Sequence, residues 1–365
     1  VGENLAARGR SVPGMTTLSR RALNRATLAR QYLLDRSDAG ALVAIEHLGG
    51  MQSQAPLAPY VGLWTRLRGF VPDELSRLTA ERRVLRVHLM RTTVHLVSAR
   101  DCLDWHGHFQ RRHAAAFAPH HRGLTVDPAE LRAETIRLLD EKPRTRAELG
   151  KLLAERWPGA DPSELTFAAA HEVPMCQVPP RGLWGRGGPA AWAPVESWLG
   201  EPLRTTPIDG LVLRGLGAFG PATVADLQTW SGLTRLAEVV SRLPLRTFES
   251  ETGQTLYDLP DAPRPDEDVP APPRFLPEYD NLLLAHRDRG RFNPSGRPVP
   301  LPPGNGATSG TFLVDGLWEG TWQLRDRRLA LRPYRKIGLD PLLSEAEALR
   351  SFLAPDAAVV VENEL

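Results

Sequence analysis

The sequence predicts an α+β chain: three tandem winged-helix units, each a helix-turn-helix closed by a β-hairpin, followed by a small C-terminal β-barrel-like domain. Three observations carry this prediction. At 365 residues the chain exceeds what one hydrophobic core usually organises. A pattern of helix, helix, helix and hairpin recurs three times, as expected of repeated supersecondary units. Beyond residue 274 the helical stripes give way to short β-like runs between Pro/Gly-rich loops. The expected boundaries are 15–125, 126–203 and 204–260 for the three units, 261–274 for an acidic proline-rich linker, and 275–365 for the last domain.

In the first unit, Leu18, Ala22, Leu23, Ala26, Ala29, Leu33 and Leu34 form one apolar stripe, which predicts a helix over Leu18–Leu34. A second helix, Ala39–Leu48, stops at Gly49-Gly50, and a third is expected around Leu57–Leu67. Val84–His88 and Val94–Val97 read as the strands of a wing, with a helix over Trp105–Ala118 behind them. The second unit runs through Leu131–Leu139, then Thr145–Arg156 with Thr145 and Glu148 as a capping box, then Pro162–His171. Its wing strands are expected at Leu183–Trp184 and Ala191–Pro194. The third unit is the clearest: Ile208–Leu216, Thr223–Trp230, a Ser231-Gly232 turn, Thr234–Leu243, and a hairpin of Leu245–Glu249 with Thr255–Leu259. In the last domain, Phe275–Ala285, Thr311–Trp318, Gly320–Arg325 and Leu329–Pro333 are β-like, with a hairpin expected to turn on Glu319-Gly320. Ser344–Phe352 reads as a helix and Ala357–Val361 as a final strand.

Composition bounds the function classes. The chain is 42% hydrophobic and 24% charged, with no apolar run long enough to span a bilayer, so a membrane role is not expected. Val1–Gly14 is basic and polar without an apolar stretch, which argues against a secretory signal and for Met15 as the natural start. Cys102 and Cys176, with no CxxC spacing, suggest a reducing cytoplasm. Net charge is only +2, but of 45 basic residues only Lys142, Lys151 and Lys336 are lysine. Arginine forks onto phosphates and stacks on bases, which suits DNA; a GC-rich genome would give the same bias. Asp258–Asp268 is acidic and proline-rich and reads as a solvated linker or surface strap.

Several constellations invite chemistry. Gln52-Ser53-Gln54 follows the Gly-Gly stop and precedes Ala55-Pro56, where a helix-turn-helix would bend toward its ligand. On spacing alone, two glutamines there fit a cap on the next helix or a phosphate contact equally well. Arg91, Thr92, Thr93 and His95 sit at the first wing and are candidates to line a DNA cleft; pairing of Arg91 with a carboxylate is as open. Arg287, Arg289 and Arg291 could meet the phosphate backbone or minor groove, or lie in a solvated loop. Asp280-Asn281 reads as a carboxylate–amide pair near the cleft or as a cap. His106, His108 and His113, with His120 and His121, lack acidic or cysteine partners at ligand spacing, so no metal is expected. Gly185-Arg-Gly-Gly188 is a wing turn, not a phosphate loop.

The run Arg86-Val-His-Leu-Met-Arg91-Thr-Thr-Val-His95-Leu-Val, the run Phe275-Leu-Pro-Glu-Tyr-Asp280-Asn281-Leu-Leu-Leu and the Gln-x-Gln triplet together resemble the AlkZ-type family of bacterial winged-helix DNA glycosylases, from Leu18 to near the C terminus. The resemblance implies tandem winged helices around a cleft with a C-terminal barrel. It implies a hydrolase that cleaves the N-glycosidic bond of bulky N7-alkylated purines and unhooks interstrand cross-links, in DNA repair and in self-resistance to an alkylating antibiotic such as azinomycin B. Its catalytic pair falls on Gln52 and Gln54. Some relatives carry Gln-x-Asp, and here Gln54 stands where their carboxylate sits.

That departure has a chemical meaning. An amide accepts no proton at neutral pH, but it can orient water and face developing positive charge. Forgoing an acid–base group forfeits ~10²–10⁴-fold in rate, which a purine already cationic at N7 tolerates. With three lysines, none near either run, a Schiff-base lyase step is not expected. The expected enzyme is therefore monofunctional and monomeric, needs no cofactor, and has alkylated double-stranded DNA as its partner. The competing class is a winged-helix transcriptional regulator without catalysis.

Overall fold

The computed structural model describes residues 15–117, 124–299, 309–338 and 340–362; Val1–Gly14, His120 and His121 lie outside the described residues. The chain opens with a short strand β1 (Thr17–Leu18) and helix α1 (Arg20–Arg30), whose first turn is capped by the Ser19 hydroxyl on the Ala22 N–H. α1 is shorter than its apolar stripe, because the chain leaves the helix at Gln31 and Tyr32 takes a φ of 56°. Helix α2 (Ala41–His47) ends at Gly49 and Gly50, with φ of 67° and 86°. A Cβ on Gly50 would lie 2.7 Å from Val97 Cγ1, so this turn demands glycine for space as well as for conformation.

Strand β2 (Met51–Gln52) follows at once, then helices α3 (Ala58–Trp64) and α4 (Pro72–Ala80). The hairpin β3 (Val84–His88) and β4 (Val94–Ser98) leads into α5 (Ala99–Phe117). Next come α6 (Pro128–Glu141), β5 (Arg144–Thr145), α7 (Arg146–Arg156), α8 (Pro162–Glu172), β6 (Met175–Val178), β7 (Ala191–Pro194) and α9 (Val195–Leu199). Then α10 (Asp209–Phe219), α11 (Val224–Ser231) and α12 (Ala237–Arg242) precede the hairpin β8 (Arg246–Ser250) and β9 (Thr255–Asp258). The chain finishes with β10 (Arg274–Leu276), β11 (Gly310–Val314), β12 (Leu317–Arg325), β13 (Arg328–Pro333), α13 (Asp340–Leu353) and β14 (Ala358–Val361).

Five details depart from the sequence reading. The Gln52–Gln54 triplet is not a bend between helices, because Met51 and Gln52 are a strand paired with Leu96 and His95 of β4. The second hairpin uses Met175–Val178 rather than Leu183–Trp184, with a long loop before β7. Phe275–Ala285 is a strand only through Leu276; the Asp280 carboxylate then caps a 3-10 turn at Leu282. The β11–β12 turn falls at Asp315 and Gly316, and Glu319-Gly320 lies inside β12. Gly320 is needed for a different reason: its Cβ would lie 2.1 Å from the Phe312 ring. Finally, the C-terminal sheet is open, not a closed barrel, with strand order β10-β11-β12-β13-β14. Helix α13 packs on both β10 and β14, the two edge strands of this sheet.

Two features position the site. The sheet β2-β4-β3-β6-β7-β5 joins the first two hairpins edge to edge through β3 and β6, with Arg86 opposite Gln177 and Val87 opposite Cys176. Its core runs without a break from Leu85, Val87 and Phe109 to Leu216, Trp230 and Val240. The second feature is α1, which packs beside α10 and the C-terminal sheet. Arg30, with its side chain wholly buried, makes a bidentate pair with Asp258 at 2.7 and 2.8 Å and also meets Pro263 O. Arg25 reaches Val269 O, so the acidic proline-rich segment packs along α1, where Val269 and Ala271 join the local core.

Candidate active-site cleft

Gln52 is held by the strand ladder of β2 and is only 7% exposed. Its Oε1 accepts from Arg91 Nη2 at 2.8 Å. The same Nη2 donates to Asn281 Oδ1 at 2.7 Å, and Nη1 donates to Trp230 O at 2.6 Å. One guanidinium thus ties together β2, the turn of the first hairpin, the C-terminal end of α11 and the 3-10 turn after β10. Asn281 Nδ2 reaches Gly50 O at 3.5 Å, closing the ring of contacts. Arg91 stands at a φ of 54° and Thr92 at 59°, a pair of left-handed residues that a type-specific glycine usually supplies. Gly232 makes this possible: its Cβ would lie 2.9 Å from Arg91 N. Desolvation and the nearby Arg289 bring the Arg91 guanidinium down to about 10, so it stays charged at neutral pH.

His95 lies beneath this network, fully buried. Its Nδ1 is 3.0 Å from Thr93 O, which makes Nδ1–H the donor and leaves Nε2 facing Arg91 Nη2 at 3.4 Å. Burial, and secondly the Arg91 charge, push its pKa down to about 3, so it is neutral and is no proton carrier at physiological pH. Gln54 takes its place through Oε1, which accepts from Val94 N at 3.2 Å, while Ser53 N donates to Val94 O.

Gln52, Gln54, Thr92 and Thr93 line one cavity of about 290 Å³ together with His88, His113, Arg146, Phe167, His171 and Tyr279. No Asp or Glu lines it among the described residues. Burial brings His88 down to about 3 and lowers His113. The walls therefore offer amides, hydroxyls, imidazoles, the Arg146 guanidinium and two aromatic faces, and burial leaves His88 and His113 weak as general bases. Gln54, His88 and Arg146 also line an adjoining cavity of about 710 Å³ between β3 and β7.

The sequence-named arginines of the later loop divide. Arg291 points inward, bonded to Thr27 Oγ1 and Pro221 O, so it is a packing residue. Arg287 is exposed and anchored by its backbone N–H to Asp226, and Arg289 is half-buried near Arg91. Asp280 is not in the cavity: it takes a bidentate pair from buried Arg66 at 2.9 Å, while its neighbour Asn281 reaches the site. His106 is buried at 2% exposure, and no metal-binding cluster occurs among the described residues. Sequence reasoning missed His88, Arg146 and Tyr279 as lining residues. His88 lies within the first quoted run and Tyr279 within the second, which was the available signal; Arg146 gave none.

The family described as DNA glycosylase AlkZ-like matches residues 45–358. Among solved structures, Streptomyces sahachiroi DNA glycosylase AlkZ superposes with a TM-score of 0.72 at 20% identity, covering 95% of this chain and 100% of that one. That similarity establishes a shared α+β fold. No curated protein matches the chain. No helix among the described residues is long and apolar enough to cross a membrane.

Proposed function

Because this chain belongs to the family of AlkZ-like DNA glycosylases, we propose that it hydrolyses the N-glycosidic bond of N7-alkylated purines in double-stranded DNA, bulky adducts and cross-linked bases included, with Gln52 and Gln54 as the reacting pair. The observation that carries this reading is the single cavity shared by both glutamines and lacking any carboxylate among the described residues. Such a site suits a leaving group that already bears positive charge and needs no protonation.

The two amides have different roles in this reading. Arg91 occupies one lone pair of Gln52 Oε1 and polarises the amide, which makes its N–H group a stronger donor toward the departing base or the sugar. Gln54 Oε1 accepts from Val94 N–H, which fixes the amide against the strand, and in this reading the amide orients the attacking water. His88, Phe167 and Tyr279 offer π faces to a cationic purine. None of the three lysines lines the cavity, which supports a monofunctional reaction ending at an abasic site. The three helix–hairpin segments are read as winged helices that grip the duplex around this cleft.

The test is incubation with a duplex containing N7-methylguanine, followed by hot alkali to cut at abasic sites. Strand cleavage is expected for the natural chain and a large loss for Gln52→Ala and Gln54→Ala. Undiminished release by the double variant would sink the assignment, and borohydride trapping of a covalent adduct would overturn the monofunctional reading.

A further inference from the structure

The cavity between β3 and β7, next to Gln54, is lined by Arg86, Arg146 and Arg181 and by no carboxylate among the described residues. None of the three arginines forms an ion pair with a described residue. Arg86 is the most constrained, 3% exposed, with Nε on Ser53 Oγ at 2.9 Å and Nη2 on Ser53 O at 2.8 Å. Its third nitrogen, Nη1, is buried without an acceptor. Directly across the β3–β6 ladder stands Gln177, whose buried Oε1 likewise has no partner. Opposite residues in an antiparallel pair share a face of the sheet, so both orphaned groups belong to the same wall. Arg146 is exposed at the rim, its guanidinium 5.7 Å from the centre of the Trp192 ring, and Trp192 also stacks with His88.

A buried donor and a buried acceptor left without partners, beside a cluster of like charges, are costly in a finished protein. They become favourable when an anion arrives. We propose that this cavity is a phosphodiester subsite, in which Arg86, Arg146 and Arg181 receive a backbone phosphate of the strand whose altered nucleotide faces Gln52 and Gln54; the inference rests on the reading of the cleft as the glycosylase site. Guanidinium forks suit the oxygens of a phosphate, and a half-turn of the Gln177 amide presents its N–H group to the same anion. The ligand is a phosphodiester and not a free base, because the charged groups that line the space are all guanidinium donors and no carboxylate among the described residues opposes them. Desolvation and the Arg181 charge bring Arg86 down to about 10, which a bound phosphate would reverse.

The experiment measures binding of the full chain to a duplex carrying one stable abasic analogue, as a function of salt, with single phosphodiesters replaced in turn by uncharged methylphosphonates. Arg86→Gln threatens folding through Ser53, so Arg146→Gln and Arg181→Gln carry the test, with thermal unfolding as a control. Each variant should lower the slope of log affinity against log salt by about 0.9, so that a fourfold rise in salt costs it roughly 3.5-fold less affinity than it costs the natural chain. One methylphosphonate position should weaken the natural chain and leave the variants unaffected. Unchanged slopes, or equal losses at every linkage for variant and natural protein, would overturn the proposal, as would a variant effect confined to duplexes bearing an alkyl adduct. Base release from N7-methylguanine duplex is scored separately, so a failure of the glycosylase reading is distinguishable from a failure of the subsite.

Discussion

Replacing Arg91 by methionine removes a guanidinium while keeping an unbranched stem, and it tests whether this residue acts through Gln52. Arg91 donates to Gln52 Oε1, Asn281 Oδ1 and Trp230 O, at 2.8, 2.7 and 2.6 Å. A hydrogen bond from a charged donor contributes about 1.5–3 kcal/mol. If the bond to Gln52 fixes the amide for reaction, its loss slows base release roughly 10- to 150-fold, at 1.36 kcal/mol per factor of ten. The assay is single-turnover release of N7-methylguanine with protein in excess, so that binding drops out. Gln52→Ala should slow release at least as far. The double variant should then be no more than about twofold slower than Gln52→Ala alone, because the two groups form one unit. Multiplying slow-downs would refute the positioning role and assign Arg91 an independent contact with substrate.

Other expectations follow from the same structure. Gly232→Ala puts a Cβ 2.9 Å from Arg91 N at a φ of 78°, so it should lower stability by about 1–3 kcal/mol and reduce base release with it, measured by urea unfolding and the same assay. Asp258→Asn strips the buried partner from Arg30 and should cost about 3–5 kcal/mol in urea unfolding, while release at low temperature persists because neither residue lines the cavity. Burial holds His88, His95 and His106 down to about 3, against an ordinary value of 6.5 once unfolded. Below pH 6.5 the unfolded chain therefore takes up protons that the folded chain refuses, and stability falls until about pH 3. At pH 5 this reaches about 2 kcal/mol per histidine; urea unfolding at pH 7.5 and 5 reads it, and His95→Gln should show a shallower fall.

How much of this was legible in the sequence depends on the range of each interaction. Val84–His88 and Val94–Ser98 announce themselves through alternating apolar and β-branched residues, and Thr145 with Glu148 forms the capping box that its spacing predicts. Helix α4 was equally local, with Pro72 in its first turn, Asp73 and Glu74 beside it, and buried Leu75 and Leu78, and it should have been read. Gly320 was misread because a glycine that makes room for the Phe312 ring looks in sequence like a glycine that turns the chain. The catalytic candidates were visible only through resemblance. Nothing local brings Asn281 to Arg91, or Arg86 to Gln177, across 190 and 91 positions, since those meetings are made by the fused sheet and by the packing of α11.

The pairing of β3 with β6 bears on how a duplex is received. Two hairpins that would swing as separate arms are one slab, and the walls carrying Gln54 and Arg146 cannot part without breaking that ladder. The cleft is accordingly a preshaped mould, and the work of deformation falls on the nucleic acid. Bending or unstacking is cheapest where the duplex is already damaged. On the proposed reading, selection among sites begins with the mechanical softness of the DNA, before any atom of the altered base has been read.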